Sequence, residues 1–252
     1  MKHETREAGT VIYGINAVLE ALRAGAAVSE IHLATNLRQE VRAEIEDLAR
    51  ERGVTVLRAD RRELDRQSGE GVHQGVVALG GPASHVSLDA LAEGGGSGRR
   101  VLLCLDEVQD VRNLGALARS ALAFGAAGLV LPERRSAPVS PAAIKASAGA
   151  LCYLPVARVK NLARALERLK KRGYWVTGAV LDPDAPAPWE LDPGERVALV
   201  LGSEGGGLRR GIASQLDHRV RVPMGGQSES LNVSVAGAVL LYEWLCRPAR
   251  DA

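Results

Sequence analysis

The sequence predicts an α/β fold in two parts: a small N-terminal α/β layer domain, then a larger domain on a mainly parallel sheet. Short apolar runs alternate with amphipathic ones along the chain, the signature of strands and helices taken in turn. The later apolar runs, among them "RVLLCLDEV", "GLVLP" and "RVALVLG", are apolar at nearly every position, as strands covered on both faces must be. Between the two parts lies "GPASHVSLDALAEGGGSG" (81–98), which starts with Gly-Pro and ends in linker composition. The expected boundaries are therefore 1–80, a linker over 81–98, and 99–252.

In the first part, "GINAVLEALRAG" places Ile15, Val18, Leu19 and Leu22 on one helical face and stops at Gly25. "EIHLA" reads as a strand. "NLRQEVRAEIEDLARERG" reads as a helix with Leu37, Val41, Ile45 and Leu48 inward, and "VTVLRA" as the next strand. "DRRELDRQSG" opens with Asp60 and Glu63 at capping-box spacing, and "GVVALG" closes the unit as a strand. Beyond Arg99, strands are expected at "RVLLCLDEV", "GLVLP", "LPVARV", "YWVTGAVL", "RVALVLG" and "HRVRVPM". Helices are expected at 113–124, 141–149, 161–172 and 207–216, and after Asn232. In "SESLNVSVAGAVL" (228–240) and beyond, Val233, Val235, Ala236, Val239, Leu240 and Trp244 read as one packed helix. Its start carries Ser228, Ser230, Asn232 and Ser234, although an N-cap needs only one such side chain. The surplus points to something other than the helix being held there.

Composition narrows the class. The chain has 252 residues, 46% hydrophobic and 25% charged, which is ordinary for a globular protein. No apolar run approaches the ~20 residues that span a bilayer. "MKHETREAGT" has no apolar core of a secretory signal, so the expected compartment is cytoplasmic. Cys104, Cys152 and Cys246 are widely spaced in apolar segments and read as buried free thiols; the five His are scattered, so no metal is expected. A net charge of +2 says nothing of nucleic acid, while 27 Arg against 5 Lys is weak support for phosphate partners, since coding bias gives the same ratio.

Ligands on parallel sheets bind beyond the carboxyl ends of the strands, which singles out the loops after "CLDEV", "LVLG" and "RVPM". In "DEVQDVRNLGALARSALAFGA", Asn113 is a good N-cap, and Leu114, Leu117, Ala121 and Leu122 form the buried stripe. Arg119 lies six residues after Asn113, so the two reach one ligand only if Asn113 sits in the preceding loop. Taken alone, Arg119 reads as a solvated helix arginine. "ALVLGSEGGGLRRG" resembles a phosphate-cradling turn but fits neither G-x-x-x-x-G-K-[ST] nor G-x-G-x-x-G. Glu204 is its one side chain with chemical potential, or else a surface carboxylate. In "RVPMGGQSESLNVS", Ser230 and Asn232 face the same way, while His218 and Arg219 read as structural.

Together "NLGALAR" (113–119), "LVLGSEGGGL" (199–208) and "VPMGGQSESLNVSVA" (222–236) resemble the three ordered motifs of the SpoU/TrmH group of RNA ribose 2′-O-methyltransferases, within the SPOUT superfamily. "VIYGINAVLEAL" (11–22) and "HQGVVAL" (73–79) are similar to the small RNA-binding domain of bacterial 23S rRNA guanosine-2′-O-methyltransferases. The resemblance implies a trefoil knot in the C-terminal part, S-adenosylmethionine bound in bent form, no metal, and a homodimer acting on RNA, 23S rRNA first. Carried over by position, it implies Asn113, Arg119, Glu204, Ser230 and Asn232 as the polar active-site set. Leu201, Gly202, Val222, Met224 and Leu231 would line the cofactor. The group's tRNA enzymes generally lack the N-terminal domain, which favours rRNA. The alternatives are the same chemistry on tRNA or another rRNA nucleotide, and a non-catalytic RNA-binding module that keeps only the pocket.

Overall fold

The computed structural model describes residues 11–69, 71–80, 86–94, 98–203, 205–226 and 230–247. The chain divides into two units: one takes in residues up to Ser84 together with Val139–Tyr153, the other His85–Pro138 and everything from Leu154 onward.

The first unit runs β1 (Val11–Tyr13), α1 (Ile15–Arg23), β2 (Val28–Ala34), α2 (Gln39–Arg52), β3 (Thr55–Ala59), α3 (Arg61–Ser68) and β4 (Val76–Gly80). Its sheet has the order β1-β4-β2-β3, with β2 and β3 parallel and β4 antiparallel to both of its neighbours. The apolar stripe of α1 is buried at Val18, Leu19 and Leu22, while α2 buries Ile45 and Ala49. Asp60 caps α3 by accepting the Glu63 N–H at 2.9 Å. Only half of a capping box forms, because the Glu63 carboxylate turns to Arg66, whose Nε donates at 3.0 Å. That bond holds the Glu63 carboxyl below its ordinary range.

The second unit begins with α4 (Leu88–Glu93), inside the stretch expected to be linker. Ser87 caps it by accepting the Ala90 N–H, and Leu88, Leu91 and Ala92 join the unit's core, so burial outweighs the glycine-rich composition that follows. Then come β5 (Arg100–Leu105), α5 (Val111–Ala123) and β6 (Gly128–Pro132). The chain next passes into the first unit as α6 (Pro141–Ala146) and a short 3₁₀ turn (Ala150–Cys152), where Lys145 Nζ donates to the Val72 carbonyl at 2.6 Å and Tyr153 Oη to Glu20 at 2.7 Å. It returns as β7 (Val156–Val159), α7 (Leu162–Lys170), β8 (Trp175–Ala179), β9 (Arg196–Leu201), α8 (Arg210–Ala213), β10 (His218–Val220) and α9 (Val233–Leu245). The sheet order is β10-β8-β9-β5-β6-β7, and every adjacent pair is parallel.

Several expectations need correction. The helix expected at 207–216 is one turn, α8, because Gly207 is drawn back to Ser203 by reciprocal main-chain bonds of 3.1 Å. The ladder of β10 stops at Val220, leaving 221–226 without strand structure. Asn113 is not the cap of α5: Asp110 takes that role, accepting the Arg112 N–H at 2.7 Å, and Asn113 lies buried in the first turn. Cys104 and Cys152 are buried, with thiols pushed up to about 12 chiefly by desolvation, but Cys246 is exposed. Val235 and Val239 of α9 are exposed too, as is Leu122 of α5; α9 buries Val233, Leu240 and Trp244 as expected, and Gly237 and Leu241 with them. Among the described residues, no helix is long and apolar enough to cross a membrane.

Gly237 sets how closely α9 packs. A Cβ there would lie 2.5 Å from Leu117 Cδ2 and 2.7 Å from Leu201 Cδ1, both on buried side chains. Gly237→Ala gains up to about 1 kcal/mol of helix propensity but overpacks the seam at about 1–3 kcal/mol. The expected outcome is net destabilisation, read as a lower denaturation midpoint with an unchanged slope.

Candidate active site

A cleft of about 520 Å³ opens at the carboxyl ends of β8 and β9. One wall is the run out of β8, Ala179 to Leu181; another is Leu201 and Gly202 leaving β9, with Ser203 and Gly205 to Leu208. Val222 and Met224 follow β10, and Ser230 to Val233 with Ala236 enter from the start of α9; Ala213, Leu216 and Arg219 complete the lining. Strand order produces this arrangement. β9 is central, β8 and β10 lie to one side of it, and parallel strands discharge their loops at one end.

All five positions expected to line a cofactor, Leu201, Gly202, Val222, Met224 and Leu231, face this cleft. Met224 and Leu231 are 36% and 37% exposed, so apolar side chains stand in water at its mouth. At Gly202 any Cβ would collide with the Gly207 carbonyl, so glycine there lets the turn fold back on its own strand.

The polar set is distributed less evenly. Asn232 caps α9, its Oδ1 accepting the Ser234 N–H at 2.9 Å. That bond turns the other end of the amide outward, and Nδ2 donates to Asn113 Oδ1 at 3.0 Å. Asn113 thus reaches the cleft wall from the first turn of α5, not from a loop. Ser230 and Asn232 line the cleft directly. Arg119 is exposed on α5, outside the residues that line it. Glu204 lies outside the described residues.

Two features escaped the sequence. Arg219, read as structural, lines the cleft with Nη1 3.5 Å from Asp182 Oδ2, and nothing in its local pattern marks it. The Ala179–Leu181 wall was findable, because it continues the parallel strand beside β9. Among the described residues, no group of three His, Cys, Asp or Glu side chains is placed to hold a metal.

Comparison with known proteins agrees with this geometry. Residues 100–242 match the SpoU rRNA methylase family, and residues 11–85 match the RNA 2′-O ribose methyltransferase substrate-binding domain. A candidate TrmH-family tRNA/rRNA methyltransferase of Bacillus subtilis is 39% identical over 235 residues, covering 92% of this chain and 93% of its own. The crystal structure of a TrmH-family protein from Porphyromonas gingivalis, described as a candidate RNA methyltransferase, superposes with a TM-score of 0.75 at 29% identity, over 95% of this chain and 90% of that one. The SpoU methyltransferase AviRb of Streptomyces viridochromogenes, solved with AdoMet, has the same fold, with a TM-score of 0.79 at 23% identity over 96% and 91% of the two chains. With both of its parts matched, the chain belongs to the SpoU/TrmH family of RNA methyltransferases.

Proposed function

We propose that this chain transfers a methyl group from S-adenosylmethionine to a ribose 2′-OH of RNA, with a guanosine of 23S rRNA as the first candidate substrate. The observation that carries the reading is a single cleft that gathers the five expected cofactor positions and sets Ser230 and Asn232 beside them. The lining fits the cofactor's chemistry. Leu201, Val222, Met224 and Leu231 offer apolar surface to an adenine and a sulfur centre, and the main chain around Gly202 offers hydrogen-bonding groups at close approach. When bound, S-adenosylmethionine supplies a methyl carbon already activated by its sulfonium. We take the loops after β9 and β10 to be the segments threaded as the family's knot.

The residues of the chain then have to orient a poor nucleophile. Placement of the 2′-oxygen in line with its target is the largest contribution on offer, up to about 7–11 kcal/mol in ideal systems. Asn232, immobilised by its cap and by Asn113, and Ser230 supply fixed polar groups for that task. Glu204 is assigned to the same set. A guanidinium keeps its proton in proteins, so Arg119 is assigned to steady negative charge on the 2′-oxygen or the adjacent phosphate.

Arg119 reaches such a position in a homodimer. Leu122, one helical turn away on α5, and Val235, Val239 and Tyr242 on one face of α9 are all exposed. A second copy laid over this strip covers Leu122 and places Arg119 at the edge of the interface. In the first unit, a cleft of about 800 Å³ carries Asn36, Arg38, Arg61 and Gln74 and supports the RNA-binding role. No part of the reading calls for a membrane, and the cytoplasm is its natural setting.

Incubating the protein with methyl-labelled S-adenosylmethionine and with rRNA or tRNA, then mapping 2′-O-methylated nucleotides, tests the proposal. Label in 23S rRNA is expected. Label in tRNA alone moves the substrate assignment, and transfer to no RNA favours the non-catalytic module. Arg119→Ala should lower single-turnover methylation about 10²-fold or more while changing stability by less than about 0.5 kcal/mol. Arg119→Lys should lose nearly as much if the planar fork matters; wild-type rates in both variants remove Arg119 from the set. Arg38→Ala with Arg61→Ala should weaken RNA binding and reduce its salt slope by about one for each phosphate no longer held, with cofactor affinity unchanged.

A further inference from the structure

We infer that Asp106 and Arg209 are positioning residues for the cofactor: together they hold both ends of the 202–208 turn that walls the cleft. The inference rests on the cofactor reading above and adds to it a pair of residues 103 positions apart in sequence.

Asp106 directly follows β5 and is 0% exposed. Its own N–H donates to the Leu201 carbonyl at 2.8 Å, which fixes the point where the chain leaves β9 and begins the turn. Its carboxylate fixes the other end. Oδ2 accepts the Arg209 main-chain N–H at 3.0 Å, and Oδ1 accepts Arg209 Nε at 2.8 Å, with Nη2 at 2.6 Å. One residue therefore holds the turn at its first and last joints. Between them the turn is closed by the reciprocal Ser203 and Gly207 bonds. A second carboxylate backs the guanidinium. Glu107 lies 3.6 Å from Arg209 Nη1 and accepts from Arg135 Nη1 at 3.1 Å.

Stability alone does not account for this arrangement. A fully buried carboxylate carries a desolvation cost, and well-packed apolar residues often replace buried ion pairs at no loss. What an apolar pair cannot do is bind a main-chain N–H and a guanidinium fork from one carboxylate, which fixes the turn in orientation as well as in place. The turn supplies Gly202, Ser203 and Gly205 to Leu208 to the cleft, so an error in its placement is an error in the cleft's shape.

The full-length protein decides the matter through Arg209→Met, Arg209→Lys and Asp106→Asn, with Arg210→Met as a surface control. Arg209→Met removes the fork from a half-exposed position and should weaken S-adenosylmethionine binding about tenfold or more, the order of a lost charge-assisted hydrogen bond. Arg209→Lys, which keeps charge without the fork, should fall between that variant and the wild type. Hydrogen exchange should quicken at Ser203 and Gly207 in Arg209→Met while the β5–β9 amides keep their protection. Affinity within twofold of wild type, or faster exchange spread evenly over both strands, overturns the positioning role. If Asp106→Asn does not fold, the Arg209 variants still decide. If the wild type itself fails to bind S-adenosylmethionine, the cofactor reading falls, and exchange at Ser203 and Gly207 alone judges the clamp on the turn.

Discussion

At residue 237 a helix approaches a strand and a second helix so closely that a methyl group has no room. Without a side chain there, α9 settles onto Leu117 of α5 and Leu201 of β9, and the position of its first turn follows from that contact. The first turn carries Asn232, whose amide is then fixed at one end by the α9 main chain and at the other by Asn113. A small defect in helix propensity thus becomes a rigid polar wall. The Asn232–Asn113 bond joins two helices through residues 119 positions apart in sequence.

The cleft depends on parallel topology in the same way. Six parallel strands release all their loops at the same end, so three segments distant in sequence meet without a dedicated scaffold. Two of them, after β9 and β10, form most of the lining, and the third, after β5, acts from behind through Asp106 and Asn113. Apolar surface dominates the cleft, with polar side chains at the start of α9, at Ser203 and at Arg219. Such a lining orients a ligand by a few fixed polar contacts and leaves the rest of the affinity to burial.

What the sequence revealed, and what it hid, divides along physical lines. The alternation of strands and helices and the α3 cap at Asp60 were legible because they depend on neighbours in sequence. The α5 cap was misread because Asp110 and Asn113 are both good caps at plausible spacing, and burial of Asn113 against α9 decided between them. The helix at Leu88–Glu93 was hidden by the glycines after it, although Leu88 and Leu91 fill the core. The five positions that the motif resemblance assigns to a cofactor share one cleft. Arg219 and the Asp106–Arg209 pair were not legible, since a partnership across 103 residues leaves no local periodicity. Arg119 shows the reverse: its motif marks it, while its own subunit leaves it exposed.

The excursion of Val139–Tyr153 out of the second unit and into the first changes how the chain must be made. As the protein emerges from the ribosome, the N-terminal sheet is complete by Gly80, yet α6 and the 3₁₀ turn that pack with it appear only after β5, α5 and β6. Until then, the partners of Lys145 and Tyr153, the Val72 carbonyl and Glu20, wait without them. The first unit therefore matures late, interleaved with half of the second, and domain-by-domain order in synthesis does not hold. The same interleaving removes the two units from the set of cassettes that recombination can exchange at a single joint. A crossover near residue 85 separates the N-terminal sheet from a segment it needs and leaves the buried side chains Ala143, Ile144 and Leu151 without their cover.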